Sequence, residues 1–177
     1  QLATLHRTTT DQFGLDHDNY IGRLPQSNRQ HRNWLEFFRA ERIEPQLKQA
    51  LDSGRVEPGL TEHWDRLAKQ LPDLIPESAP ALLHGDLWGG NYLYDEAGVA
   101  ALIDPAVYYG HPEMELAFTT LFGGFTEAFY SGYAEVSPTE PGFQERIPIF
   151  NLYPLLVHVN LFGGHYIHQV GSILRNF

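Results

Sequence analysis

The chain has 177 residues, which is the size of one compact domain rather than of a small disulfide-linked scaffold. Apolar residues make up 42% and charged residues 19%, a composition typical of a packed globular fold, and the absence of cysteine excludes disulfides and thiolate chemistry and fits a reducing, cytoplasmic location. A formal net charge of −10 disfavours nucleic acid and membrane surfaces as partners.

Helical patterns dominate the first half of the chain. Residues 1–7 fit the end of a helix, whereas residues 8–28 show no periodicity and predict a long loop. A helix with one aromatic face is predicted by the i, i+3, i+4 spacing of Trp34, Phe37 and Phe38. Pro45 is expected to kink that helix or to start another. A further amphipathic helix is predicted for residues 60–71, ending before Pro72.

The second half combines one hairpin with further helices. Ala81-Leu82-Leu83 reads as a short buried strand, and two more strands at 92–94 and 99–103 flank turn residues Asp95 to Gly98. Beyond Pro112 the chain is expected to be helical to its end. Breaks are predicted at 123–124, 137–142 and 163–164. The sequence therefore predicts an α+β fold that is mostly helical and carries one small β-hairpin.

Residues with chemical potential lie at one end of this hairpin. Asp86 precedes the hairpin, Asn91 begins it and Asp104 follows it. Because paired strands lie about 4.8 Å apart, a hairpin that returns Ile103 to Tyr92 also brings these side chains together. Carboxylate and amide oxygens suit Mg²⁺, which takes one or two carboxylates plus substrate phosphates.

This arrangement is typical of phosphoryl transfer. In such a reaction one aspartate, here Asp86, orients the attacking hydroxyl and accepts its proton, while Asn91 and Asp104 hold the metal. The alternative interpretation is structural, since Asp104-Pro105 can open a turn and Asn91 can cap a hairpin. His84 is expected to bond to the backbone and fix the loop that aims Asp86.

The chain resembles the fructosamine (ketosamine) kinases, within the wider aminoglycoside and choline kinase-like group. The resemblance covers nearly the whole chain and departs from the usual family pattern at Gly89, where Ser is usual, and at residues 112–115, where Arg-Glu-Ala-Asp is usual. The segments that carry it are Leu5-His6-Arg7, Phe13-Gly14, Asp18 to Gly22, Trp34 with Glu36-Phe37-Phe38, His84 to Asn91, Ile103 to His111, and Leu121 to Phe125.

The resemblance implies the C-terminal lobe of a protein kinase-like fold. It implies ATP as co-substrate, Mg²⁺ as cofactor and phosphorylation of a sugar hydroxyl on a ketosamine, which is a glycated amine or protein lysine. It also implies a partner lobe, because neither G-x-G-x-x-G nor G-x-x-x-x-G-K-[ST] occurs and the only lysines are Lys48 and Lys69. We therefore expect residues 1–177 to form a single catalytic lobe, without the N-terminal nucleotide-binding lobe and inactive alone.

Substrate contacts are expected near the base. Trp88 lies between Asp86 and Asn91, and the run that contains Tyr108, His111 and Glu113 follows Asp104, so these four are candidate substrate residues. Two other hypotheses remain open: an aminoglycoside, choline or other small alcohol as substrate, or a non-catalytic module that keeps the fold.

Overall fold

The computed structural model describes residues 1–96 and 100–177. The helices are α1 (Leu2–Leu5), α2 (Trp34–Phe37), α3 (Glu44–Asp52), α4 (Leu60–Leu74), α5 (Pro112–Leu121), α6 (Glu127–Ala134), α7 (Phe143–Phe162) and α8 (Tyr166–Arg175), with a π-helical stretch, Phe38–Ile43, between α2 and α3. The strands are β1 (Asn19–Ile21), β2 (Leu24–Gln26), β3 (Ala81–Leu83), β4 (Tyr92–Tyr94), β5 (Ala100–Leu102) and β6 (Tyr108–Gly110). The predicted α+β class with a helical majority is confirmed.

Helix α7 lies at the centre and contacts α3, α5 and α8. Its residues are buried around most of its circumference, which is why this segment shows no amphipathic period. The predicted breaks on either side are confirmed, since Gly142 and Gly163 both have positive φ at its ends. Within the described residues, none of the helices combines the length and the apolar character needed to cross a bilayer.

The predicted helix with one aromatic face is confirmed and runs from α2 into the π-helical stretch that begins at Phe38. Trp34, Phe37 and Phe38 are all buried, and Asn33 caps the helix by accepting the backbone N–H of Glu36. Pro45 lies in the first turn of α3, where a residue without an N–H is tolerated. The expected stop at Pro72 is wrong, because α4 continues through it to Leu74.

Strand pairing is richer than the single hairpin predicted. The described residues form three two-stranded antiparallel sheets, β1–β2, β3–β6 and β4–β5. Residues 8–28 are therefore not one long loop, since β1 and β2 form a hairpin there. Strands of three residues are too short to show an alternating pattern, and β3 and β6 are too distant in sequence to be matched by turn signals.

The hairpin at the site is confirmed for its described residues, with a shifted register. Tyr92 pairs with Leu102, not with Ile103, and Ile103 N–H donates instead to Asn91 O at 3.0 Å. The predicted turn extends to Gly98 and the second strand was placed from Val99, so these parts lie outside the described residues. The one-residue shift still leaves Asn91 beside the strand that leads to Asp104.

Candidate active site

The loop after β3 is anchored by a buried carboxylate. Glu115 of α5 accepts the backbone N–H groups of His84 at 3.1 Å and of Gly85 at 2.7 Å. Glu115 is only 2% exposed. Because two backbone donors converge on one fixed carboxylate, the loop that leads into Asp86 has one preferred path.

His84 fastens this loop to the segment that carries Asp104. Its Nε2 donates to Ile103 O at 2.8 Å, and its Nδ1 accepts Asp86 N–H at 3.3 Å. Its own carbonyl accepts Ala106 N–H at 2.8 Å. The expectation that His84 bonds to backbone and holds the loop is confirmed.

Asp86 is half-buried and bonded to Asn91. The Asn91 side-chain amide donates to Asp86 O at 2.8 Å and to Asp86 Oδ2 at 3.1 Å. Burial raises the pKa of Asp86 to about 6, the Asn91 bond counters that effect, and the negative charges of Asp104 and Glu115 add to the increase. The backbone places the segment that carries Asp104 beside this loop, because His84 is hydrogen-bonded to both Ile103 and Ala106.

Asp104 adopts an unusual backbone conformation. Its φ is 52°, the only positive φ of a non-glycine residue in the described part of the chain. This conformation costs about 1 to 2 kcal/mol for an L-residue. The neighbouring Ile103 and Ala106 N–H groups are both hydrogen-bonded, so the surrounding backbone holds the strained residue in place. The carboxylate itself is exposed.

The oxygen donors fit a magnesium ion. Because the Asn91 amide nitrogen points to Asp86, its Oδ1 faces the other way and accepts no hydrogen bond from the described residues. Those residues contain no group of three or more His, Asp or Glu side chains that could hold a metal ion. One carboxylate and one amide oxygen, completed by phosphate and water, are a set that Mg²⁺ uses.

A cavity of about 440 Å³ opens beside Asp86. Its volume lies within the range of small-molecule sites, and its walls are mainly apolar and aromatic. Trp88 stands at its rim with 42% of its surface exposed. Buried Tyr108 forms part of the floor, where its hydroxyl donates to Met114 Sδ at 3.2 Å. Of the four candidate substrate residues, the structure therefore brings Trp88 and Tyr108 together with Asp86.

His111 and Glu113 lie outside this cavity. His111 caps α5, since its Nδ1 accepts the Glu113 N–H at 3.2 Å and its Nε2 donates to Pro76 O at 3.3 Å. Glu113 forms a buried ion pair with Arg146 through two contacts of 2.7 Å. The start of α5 turns both side chains into the interior, so we do not retain them as substrate contacts.

Three features of the site were missed by sequence reasoning. Sequence reasoning did not predict that Glu115 anchors the loop before Asp86, or that His158 forms part of the cavity wall. Gly124 packs on Gly89 so closely that a Cβ on Gly124 would lie 2.6 Å from Gly89 Cα. The paired glycines at 89–90 and 123–124 are the one sequence signal that could have indicated this approach.

Solved structures and sequence relatives give the class of protein. A Thermobifida fusca protein with a provisional fructosamine-3-kinase name superposes with a TM-score of 0.93 at 40% identity, covering 99% of this chain and 61% of that one. The ketosamine-3-kinase of Mus musculus is 43% identical over 172 residues, covering 96% of this chain and 55% of that protein. A protein of Enterococcus faecium provisionally named a ketoamine kinase is 42% identical over 178 residues, covering 99% and 64%. The fold is that of the fructosamine-3-kinase structures.

The family follows from the whole chain. The profile described as fructosamine kinase matches residues 1–177, so the chain belongs to the fructosamine kinase family. The resemblance inferred from the motifs is thereby confirmed. The chain spans between 55% and 64% of the length of the curated relatives named above.

Proposed function

We propose that this chain carries the base and the metal ligands of an ATP-dependent kinase that phosphorylates a sugar hydroxyl of a ketosamine. The observation that supports this most is the Asp86 carboxylate, which is oriented by Asn91 at the wall of a cavity, in a loop that is hydrogen-bonded to the residues on either side of Asp104. Relatives named ketosamine-3-kinase and protein-ribulosamine 3-kinase support the substrate class, a glycated amine or protein lysine.

Asp86 acts as the base in this proposal. Its carboxylate accepts the proton of the sugar hydroxyl while the hydroxyl oxygen attacks the terminal phosphorus of ATP, and the bond from that phosphorus to the β,γ-bridging oxygen breaks to release ADP. The Asn91 amide holds one carboxylate oxygen, which leaves the other free to face the cavity. Asn91 Oδ1 and the Asp104 carboxylate would hold Mg²⁺, which neutralises charge on the transferred phosphoryl group.

Trp88 and the aromatic cavity bind the sugar and its amine. An exposed indole at the rim offers a flat apolar face to the C–H groups of a sugar ring, while Asp86 takes a hydroxyl. Tyr108 contributes packing only, because its hydroxyl is already bonded to Met114. An aminoglycoside and choline are the competing substrates, and both belong in the assay.

We also propose that the groups that hold the nucleotide phosphates lie outside these 177 residues, in a nucleotide-binding lobe. The longer relatives and the missing glycine-rich motifs support this. This chain alone should then give little phosphate transfer compared with the full-length enzyme. Equal turnover by both would overturn this part of the proposal.

Two variants of the full-length enzyme test the division of roles. Asp86→Asn keeps the shape but removes the proton acceptor, so kcat should fall by about 10²- to 10⁴-fold while Mg²⁺–ATP binding stays near that of the parent. Asp104→Ala should instead weaken Mg²⁺-dependent ATP binding, measured by calorimetry. Asp73→Asn, an exposed carboxylate of α4, is the matched control and should change neither quantity.

The substrate class is tested in the same assay. A fructosyl amine should give a higher kcat/KM than an aminoglycoside or choline. A higher kcat/KM for either competitor would leave the phosphotransfer chemistry standing and overturn the ketosamine assignment.

Equal loss of Mg²⁺–ATP affinity in Asp86→Asn and Asp104→Ala would overturn the assignment of base and metal ligand.

A further inference from the structure

A chain of buried hydrogen bonds connects α1 and α6 to the loop that carries Asp86. The Tyr133 hydroxyl lies 2.8 Å from His6 Nδ1, and His6 Nε2 lies 2.9 Å from Glu115 Oε2. Glu115 in turn accepts the backbone N–H groups of His84 and Gly85. His6 is 6% exposed, so water does not replace its contacts.

The chemistry of Glu115 determines which groups donate and which accept in these hydrogen bonds. An ionised carboxylate only accepts hydrogen bonds, so His6 Nε2–H is the donor to Glu115. Within the described residues neither a lysine nor an arginine pairs with Glu115. A buried carboxylate without enough donors is strongly destabilised, and His6 is the side-chain donor that it has here.

The position of Glu115 is transmitted to Asp86 through a tightly packed backbone. Gly85 lies between the carboxylate and Asp86, and a Cβ on Gly85 would lie only 2.0 Å from Ala106 O. A shift of Glu115 therefore moves backbone that has no free space on its other side. A misplacement of a reacting group by about 1 Å is enough to reduce a rate about 100-fold.

We propose that His6 is a positioning residue for Asp86. By donating to Glu115 it holds the carboxylate that fixes His84 and Gly85, and so it sets where the Asp86 carboxylate stands relative to the substrate hydroxyl. This inference rests on the proposed role of Asp86 as base, but the geometry of the loop can be measured separately from catalysis.

A pair of amide substitutions separates the two bonds of His6. The side-chain nitrogen of glutamine can occupy the place of Nε2 and donate to Glu115, whereas that of asparagine reaches only the place of Nδ1, next to Tyr133. In the full-length enzyme, His6→Gln should keep kcat within about fivefold of the parent. His6→Asn should lower kcat by about 10- to 100-fold with KM for both substrates changed less than about threefold.

Hydrogen–deuterium exchange gives a readout that does not depend on activity. Amides of residues 83–87 should exchange faster in His6→Asn than in the parent and at the parental rate in His6→Gln. Failure of the proposed ketosamine kinase activity would leave this result unchanged, so the two proposals can fail separately. Unchanged exchange in His6→Asn would overturn the positioning role.

A second histidine–glutamate pair, in which the histidine is half-buried, serves as the control. His31 Nε2 lies 2.9 Å from Glu41 Oε1, the same distance as in the His6–Glu115 pair, but Glu41 also receives bonds from Ser27 and Arg29. His31→Asn should lower the melting temperature without a selective loss of kcat. Equal loss of kcat in His31→Asn and His6→Asn, or in His6→Gln and His6→Asn, would show general destabilisation and overturn the proposal.

Discussion

Gly85 is the residue at which the loop that carries Asp86 packs against the backbone of Ala106. Its φ is +85°, and a Cβ would lie 2.0 Å from the carbonyl oxygen of Ala106. Gly85→Ala should therefore lower the free energy of unfolding by about 1 to 2 kcal/mol because of the positive φ, and by roughly a further 1 to 3 kcal/mol because of overpacking. Urea denaturation measures the loss of unfolding free energy.

Gly54→Ala separates these two contributions. Gly54 also has a positive φ, +66°, but nothing lies within 4 Å of the Cβ that alanine would add. In this variant the free energy of unfolding should fall only by the cost of the positive φ, about 1 to 2 kcal/mol. Similar losses at Gly54 and Gly85 would contradict the steric account of the loop.

Side-chain type alone could nominate only part of the site. Asp86, Asn91 and Asp104 could be predicted because a hairpin brings their positions to one end, whatever its exact register. Glu115 could not be predicted as a loop anchor, because a charged residue in a helix usually faces water. Its burial depends on donors from His84, just after β3, and from His6, just after α1, which are distant from it in the sequence.

Helix α5 shows how a cap determines which side chains reach the cavity. His111 was predicted as a substrate contact because the run that contains it follows Asp104, but it is 2% exposed and bonded on both ring nitrogens as the helix cap. One helical turn later, Met114 and Glu115 line the cavity. The start of a helix thus changes the direction of side chains that a linear pattern treats as neighbours.

The capping histidine gives the protein a pH-dependent stability. Burial lowers the pKa of His111 to about 4, from an ordinary value of 6.5, because its protonated form is excluded from the interior. The unfolded chain therefore takes up a proton between these two values and the folded chain does not. The contribution of neutral His111 to the free energy of unfolding should be fully present above pH 6.5 and should be lost, by up to about 3 kcal/mol, as the pH falls towards 4.

His111→Asn isolates this contribution. Asparagine can still accept the Glu113 N–H as a cap, but it does not titrate. The variant should be less stable than the parent at pH 7.5, since packing against Trp34 and Phe150 is lost. The difference should narrow between pH 6.5 and 4, as measured by urea denaturation. A difference that stays constant with pH would show that His111 is not the titrating group.

Helices bounded by glycine breaks or marked by helical spacing were predicted well, and short strands were not. The helices after Pro112 were predicted from the breaks between them, and the aromatic face from the spacing of Trp34, Phe37 and Phe38. The π-helical stretch buries Glu41 and Arg42 side by side, and no binary pattern of apolar and polar residues indicates that. The Arg42 Cζ atom lies 4.0 Å from the centre of the Tyr108 ring, so the guanidinium packs against the aromatic ring that forms part of the cavity floor.

At the scale of the whole molecule, the cavity depends on elements from both ends of the chain. The β1–β2 turn contributes Gly22, the loop after β3 contributes Asp86, and α8 contributes Tyr166. Sequence reasoning brought Asp86, Asn91 and Asp104 to one end of a hairpin but did not predict this cavity, because residues 8–28 were expected to be a loop. The β1–β2 hairpin instead supplies one wall.

Because the three tryptophans are unequally buried, quenching of tryptophan fluorescence can report ligand binding in the cavity. Trp34 and Trp64 are 4% and 2% exposed, whereas Trp88 is 42% exposed at the cavity rim. A neutral quencher such as acrylamide should therefore extinguish mainly the Trp88 emission. A fructosyl amine that fills the cavity should reduce the slope of the quenching curve, and Trp88→Phe should abolish that response. An unchanged slope at saturating fructosyl amine would contradict binding at this rim, and the titration reads occupancy without any phosphate being transferred.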